Sequence, residues 1–167
     1  AQLVSLYSDA YKATKNELYK KIVYETIDFI NSELKDESGG YYSSLDADSK
    51  TSSNVLEEGA FYVWTEKELK TTLNEDFTVF SSYYNINTYG YWEDDKYVLI
   101  RNEDDEMIAA RHNLSISEIE KIIKNCNSKL IKIRNKRAKP RLDDKILTSW
   151  NGLMIKGFVD SYKAFNE

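Results

Sequence analysis

Cysteine, histidine and proline each occur once in this 167-residue chain, as Cys126, His112 and Pro140. A single cysteine excludes an internal disulfide framework, a Cys-x-x-Cys redox pair and any multi-cysteine zinc site. A single histidine leaves one possible base for a Ser-His-Asp triad and no ligand set for a multi-histidine metal site. No metal and no cofactor is therefore expected. No apolar run approaches the roughly 20 residues that span a bilayer, and the mean hydropathy is −0.60, so no membrane partner is expected. With 23 Lys and Arg against 28 Asp and Glu, the net charge of −5 disfavours general nucleic-acid binding. No N-terminal stretch reads as a signal peptide, and the chain does not open on Met, so the natural N-terminus is expected elsewhere. What remains is 41% hydrophobic and 31% charged, the balance of an ordinary globular domain. A soluble, acidic domain with a cytoplasmic location is the expectation, and one domain is the default at this length.

The pattern along the chain begins and ends helical. Leu3, Leu6, Tyr7, Ala10 and Tyr11 recur at helical spacing, and Thr14-Lys15-Asn16-Glu17 has the form of a capping box that opens a second helix. There Val23, Ile27, Ile30 and Leu34 share one face, and Gly39-Gly40 is the expected stop. The middle changes period. Tyr41 to Leu45, Phe61 to Trp64 and Tyr97 to Ile100 are short aromatic and β-branched runs, as strands are. Glu93-Asp94-Asp95-Lys96 reads as a hairpin turn, and Ser49 to Asn54 as an exposed loop tip. Short helices are predicted over Glu66 to Leu73, capped by Thr65, over Phe77 to Tyr84, and over Asp104 to His112. Ser117-x-x-Glu120 reads as the capping box of a helix with Ile119, Ile122, Ile123, Cys126, Leu130 and Ile133 on one stripe. A last helix is predicted from about Asp144 to Ala164. It is apolar on more than one side, which calls for more neighbours than a chain this short provides. The fold class is mainly α with a small antiparallel β insertion, and the chain reads as a fragment of something larger.

Two clusters could carry chemistry. In the first, Asp46 and Asp48 sit two apart, so an extended segment projects both carboxylates to one face. Neighbouring carboxylates repel and split their pKa values, which suits acid/base work. Glu57-Glu58-Gly59 adds two acids. The bland reading makes Asp-Ala-Asp-Ser a solvated turn. The second cluster runs from Pro140 to Met154. Asp143 there reads blandly as an N-cap, and Asp144 as a first-turn acid complementing the helix dipole. Trp150-Asn151-Gly152 is harder to dismiss, because Asn and Gly are poor mid-helix residues. The cations from Lys129 to Arg141 read as a solvated helix end, Cys126 as a small core residue and His112 as a helix-end side chain.

Gly39-Gly40-Tyr41-Tyr42-Ser43 with Leu45-Asp46-Ala47-Asp48-Ser49, then Glu57-Glu58-Gly59 with Phe61-Tyr62-Val63-Trp64-Thr65, and finally Leu142 through Ile155 together resemble one family. It is the thioredoxin-domain-containing proteins of the bacterial YyaL type, related to a spermatogenesis-associated protein of animals. The resemblance covers nearly the whole chain. It implies that residues 1–167 are a single fragment of an (α/α)6-toroid of the six-hairpin glycosidase kind, with the family's thioredoxin-like domain absent from this chain and present as a partner in the parent. It further implies a carbohydrate-processing pocket, glycosidase-like or sugar-epimerase-like, that is incomplete here. Asp46, Asp48, Glu58, Asp143 and Asp144 would supply acid/base groups to a sugar or polyol, and Tyr62, Trp64, Lys145, Trp150 and Asn151 would bind it. On that reading Asp46 or Asp48 lies within ~10 Å of Asp143 or Asp144. Two departures stand out: Lys50 to Leu56 lengthens a loop, and Arg141 stands where relatives often carry His. The alternative is a non-catalytic scaffold or binding module serving the thioredoxin-like domain, and exposed apolar faces would favour self-association.

Overall fold

A computed structural model describes residues 1–167. The elements run α1 (Gln2–Thr14), α2 (Glu17–Glu33), β1 (Ser44–Leu45), β2 (Asp48–Lys50), β3 (Leu56–Glu58), β4 (Trp64–Thr65), α3 (Glu66–Leu73), a 3-10 turn (Asn74–Asp76), α4 (Phe77–Tyr83), β5 (Lys96–Tyr97), α5 (Asp105–His112), α6 (Ile116–Arg134), β6 (Leu142–Asp143) and α7 (Thr148–Phe165). The chain is mainly helical, and its strands form three two-stranded antiparallel ladders, β1 with β6, β2 with β3 and β4 with β5. It divides into two compact units, one made of residues 1–46 and 141–167 and the other of residues 47–140.

The first unit is a three-helix layer with one small ladder. Val4, Val23, Ile30 and Met154 form its buried core, with Tyr7, Ile27, Tyr41, Phe158 and Phe165 packed around them. Helices α1 and α7 approach closely at Gly157, where a Cβ would stand 3.1 Å from the Ala1 carbonyl oxygen. Helix α7 buries Met154, Gly157 and Ser161 and leaves Trp150, Ile155, Val159 and Tyr162 exposed, so its second apolar side is uncovered in this chain. The α1–α2 junction differs from the predicted capping box. Thr14 still belongs to α1 and spends its hydroxyl on the Ala10 carbonyl, while Asn16 caps α2 by accepting the Leu18 amide at 2.9 Å. Helix α2 also stops before the glycine pair. Its C-cap is Leu34, and Gly39, at φ 93°, turns the chain so that Tyr41 bridges back to Lys35.

The second unit gathers α3, α4, α5 and α6 around Leu69, Leu73, Phe80, Ile108, Ile119, Ile123, Cys126 and Leu130. Burial pushes the Cys126 thiol up to about 11, in keeping with a core side chain. Thr65 and Glu68 close the predicted capping box of α3. In α6 the box is formed by Ser115 and Glu118, two residues earlier than predicted. Asn113 ends α5 in the left-handed region, so the chain is extended, as an N-cap must be, by Ser115. The segment read as an exposed loop tip contributes strand β2 and buries Ser49, which faces Glu57 across the β2–β3 hairpin. The run from Phe61 is a turn before it becomes β4, with the Tyr62 and Val63 amides both donating to the Gly59 carbonyl. The second hairpin forms where predicted, with Trp92 donating to the Lys96 carbonyl at 2.9 Å. Gly90 is required there because a Cβ would meet the Asn85 carbonyl oxygen at 2.2 Å.

Candidate functional site

In the first unit, tertiary structure joins segments about a hundred positions apart. Ser44 faces Asp143 and Leu45 faces Leu142, and the ladder continues as the Asp46 amide donates to the Arg141 carbonyl at 2.8 Å. Residues two apart on one strand and their cross-strand partners share a face. Asp46, Arg141 and Asp143 therefore project to the same side, and Asp46 and Asp143 are diagonal neighbours with Cα atoms roughly 7–8 Å apart. The register thus brings the two motifs into one small ladder. The pairing also corrects the reading of Asp143 as a helix cap. Asp143 is a strand residue, α7 begins at Thr148 rather than near Asp144, and its N-cap is Leu147 without a side-chain hydrogen bond. Asp144 lies in the connection ahead of the helix, outside its first turn.

The electrostatics of the ladder are asymmetric. Lys145 donates to Oδ2 of Asp143 at 2.6 Å. This bond first, and the neighbouring Ser43 hydroxyl second, hold the Asp143 carboxyl below the usual carboxylate range. Asp143 is thus kept ionised. Arg141 stands 3.6 Å from Asp46 with its own side chain 87% exposed, a pairing worth little in water.

Beside the ladder lies a cleft of about 410 Å³, walled by Ile30, Leu34, Tyr41, Tyr42, Ser43, Trp150, Asn151 and Leu153, within the size range of small-molecule sites. Trp150 is half-exposed there and offers an aromatic face. Asn151 is spent on the backbone instead. Its Oδ1 accepts the Tyr41 amide at 2.8 Å, while its Nδ2 donates to the Tyr41 carbonyl at 2.9 Å and to the Leu147 carbonyl at 3.1 Å. It copies a strand partner for Tyr41 and ties the first motif to α7. Gly40 serves the same junction, since a Cβ would press on Ile146 at 3.2 Å. The hydroxyl of Tyr41 donates to Asn31 and that of Tyr42 to Asp36. Ser38 first and Tyr42 second lower the Asp36 carboxyl to about 2.

The remaining candidates fall in the second unit. Asp48 and Glu58 face each other across the β2–β3 hairpin, an arrangement of like charges that costs stability. Tyr62 is 39% exposed and meets Phe61 edge-on. Trp64 is 3% exposed, and the Arg137 guanidinium lies 4.0 Å from its ring centroid, so it is a core side chain under an arginine lid and not a cleft wall. Arg137 also donates to the carbonyls of Ala60, Phe61 and Val63, at 3.3, 3.1 and 2.7 Å. Within a run of seven cations, nothing local distinguishes it. No group of three or more His, Cys, Asp or Glu side chains is placed to hold a metal ion. His112 meets Ser82, Nε2 to Oγ, at 2.9 Å.

Comparison with known proteins follows the motifs. No protein-family model matches the chain. It is 31% identical, over an alignment of 188 positions, to an uncharacterised protein of Caenorhabditis elegans, covering all of this chain and 26% of the relative. It is 32% identical to human spermatogenesis-associated protein 20 and 30% identical to the mouse protein of that name, each over 95% of this chain and 23% of the relative. The expected relation to a spermatogenesis-associated protein of animals is thus found. The chain spans about a quarter of the length of the curated relatives it matches. No helix is long and apolar enough to cross a membrane.

Proposed function

We propose that the first unit contributes a carbohydrate- or polyol-binding cleft to a longer protein, with Asp46 and Asp143 as its acid/base pair. The observation that carries this reading is the β1–β6 ladder, which sets these two carboxylates diagonally on one face, a few residues along the chain from the Tyr41–Ser43 wall of the cleft. Sugar rings present flat apolar faces edged by hydroxyls, and the half-exposed Trp150 matches the first of these. Glycoside hydrolysis needs one ionised and one protonated carboxyl flanking the bond. Asp143, held ionised by Lys145 and Ser43, suits the first role, and this reading assigns the second to Asp46, its diagonal neighbour. In the full-length protein the unit would belong to a toroid, with a thioredoxin-like domain alongside.

A specific observation favours a second reading, a non-catalytic scaffold. Asn151, Lys145, Trp64 and the Tyr41 and Tyr42 hydroxyls are all engaged within the chain. A thermal-shift screen of the full-length protein against sugars and polyols, with an Asp46→Asn/Asp143→Asn variant alongside, separates the two. A ligand at a hundred times its dissociation constant adds about 2.7 kcal/mol. A hit lost in the variant supports the cleft. Silence across the screen, with the variant merely less stable, supports the scaffold.

A further inference from the structure

The second unit contains a cleft of about 530 Å³ that the reading above does not use. Its walls come from the β2–β3 hairpin, the turn before β4, the start of α3, strand β5 and the segment after α6. Four cations line it, Lys50, Lys96, Lys136 and Arg137, against two carboxylates, Glu57 and Glu68. Both carboxylates are committed. Glu57 receives Lys96 at 2.6 Å. Glu68 is the capping-box side chain of α3, with Oε2 accepting the Thr65 amide and hydroxyl at 2.8 Å each and Oε1 lying 3.4 Å from Arg137. Lys50 and Lys136 are exposed and enter no ion pair. Ser52 adds a hydroxyl from the β2–β3 loop, whose neighbouring Thr51 hydroxyl is engaged with Ser53 and Val55.

From this we infer that the cleft of the second unit is an anion site for a phosphate-bearing small molecule, with Lys50 and Lys136 as its two charge donors and the Ser52 hydroxyl beside them. The physical argument is one of unbalanced charge. Two ammonium groups flank a concave surface whose acids are already neutralised, and a dianion that bridges them gains charge-assisted hydrogen bonds to both. Arg137 is held by three carbonyls, by Trp64 and by Glu68, so it forms a fixed wall that needs no reordering on binding. The arrangement also explains why the basic run beyond α6 is more than a solvated helix end. Two of its members, Lys136 and Arg137, line the cleft.

The test is a titration of the 167-residue chain with inorganic phosphate at pH 7.5, followed by amide chemical shifts. The comparison proteins are Lys50→Ala/Lys136→Ala and the charge-keeping Lys50→Arg/Lys136→Arg. The expected result is saturable binding whose shifts centre on residues 50–53 and 136–138, weakened about tenfold or more in the alanine pair and kept in the arginine pair. Both positions are exposed, and thermal melts of the two variants would confirm that they fold. Shifts that do not saturate, or saturable binding of equal strength in the alanine pair, would overturn the assignment.

Discussion

Replacing Asn151 with alanine removes three hydrogen bonds at once and leaves the Tyr41 amide and carbonyl without their partner. At about 1 kcal/mol each, the bonds sum to ~3 kcal/mol. Alanine is the better helix former by about 0.6 kcal/mol, so the net loss is ~2.5 kcal/mol. For a chain of this size about 2–4 °C accompanies each kcal/mol, which places the fall in melting temperature at roughly 5–10 °C, read by circular dichroism at 222 nm. Asn151→Asp refines the test. Its shape is conserved and its carboxylate can still accept the Tyr41 amide, but it sets a negative oxygen where Nδ2 now donates to two carbonyls. The aspartate variant is therefore expected to melt no higher than the alanine one. If alanine costs less than about 0.5 kcal/mol, or if aspartate proves the more stable of the two, the clamp between α7 and the Tyr41 segment does not hold the first unit together. The residue would then be free for a ligand, as its motif first suggested.

Other perturbations have equally definite outcomes. Arg137→Lys keeps the charge but one ammonium cannot serve three carbonyls and cover Trp64 together; a loss of ~2–3 kcal/mol and a red shift of tryptophan emission are expected, and an unshifted spectrum at wild-type stability would contradict the lid. Gly152 has open space where a Cβ would stand, so Gly152→Ala should raise stability by about 0.5–1 kcal/mol, whereas Gly90→Ala, driven against the Asn85 carbonyl, should unfold or strongly destabilise the second unit; equal melting temperatures would refute the contrast. Asp36 has a folded-state pKa of about 2, below its unfolded value of ~3.9, so its contribution is whole above pH ~4 and is lost as the pH falls through about 2. Asp36→Asn should accordingly melt below the wild type at pH 7, with the gap closing by pH 2, and a gap that widens in acid would reverse the assignment.

Helix positions and types were legible in the sequence because the interactions that set them reach no further than a turn. The capping box of Thr65 and Glu68, the apolar stripe of α6 and the polar turn before Tyr97 are all signals within a few residues. Where two local signals competed, the context beyond them decided. Ser115 outcompeted Ser117 because Asn113 had already turned the chain, and Thr14 lost to Asn16 because it is still the last residue of α1. The sequence also marked the two polar-aromatic stretches around Asp46 and Asp143, yet it could not show how they meet. A two-residue strand has no periodicity to read, and its partner lies about a hundred positions away. Only that pairing turned Asp143 from an expected helix cap into a strand residue diagonal to Asp46. Trp64 and Arg137 follow the same logic. An aromatic residue in a motif reads equally as cleft wall or core, and one arginine among seven cations reads as solvated, until the backbone carbonyls of Ala60, Phe61 and Val63 converge on it. Local physics thus determined the elements of this chain, while burial and long-range backbone pairing decided what their side chains are available to do.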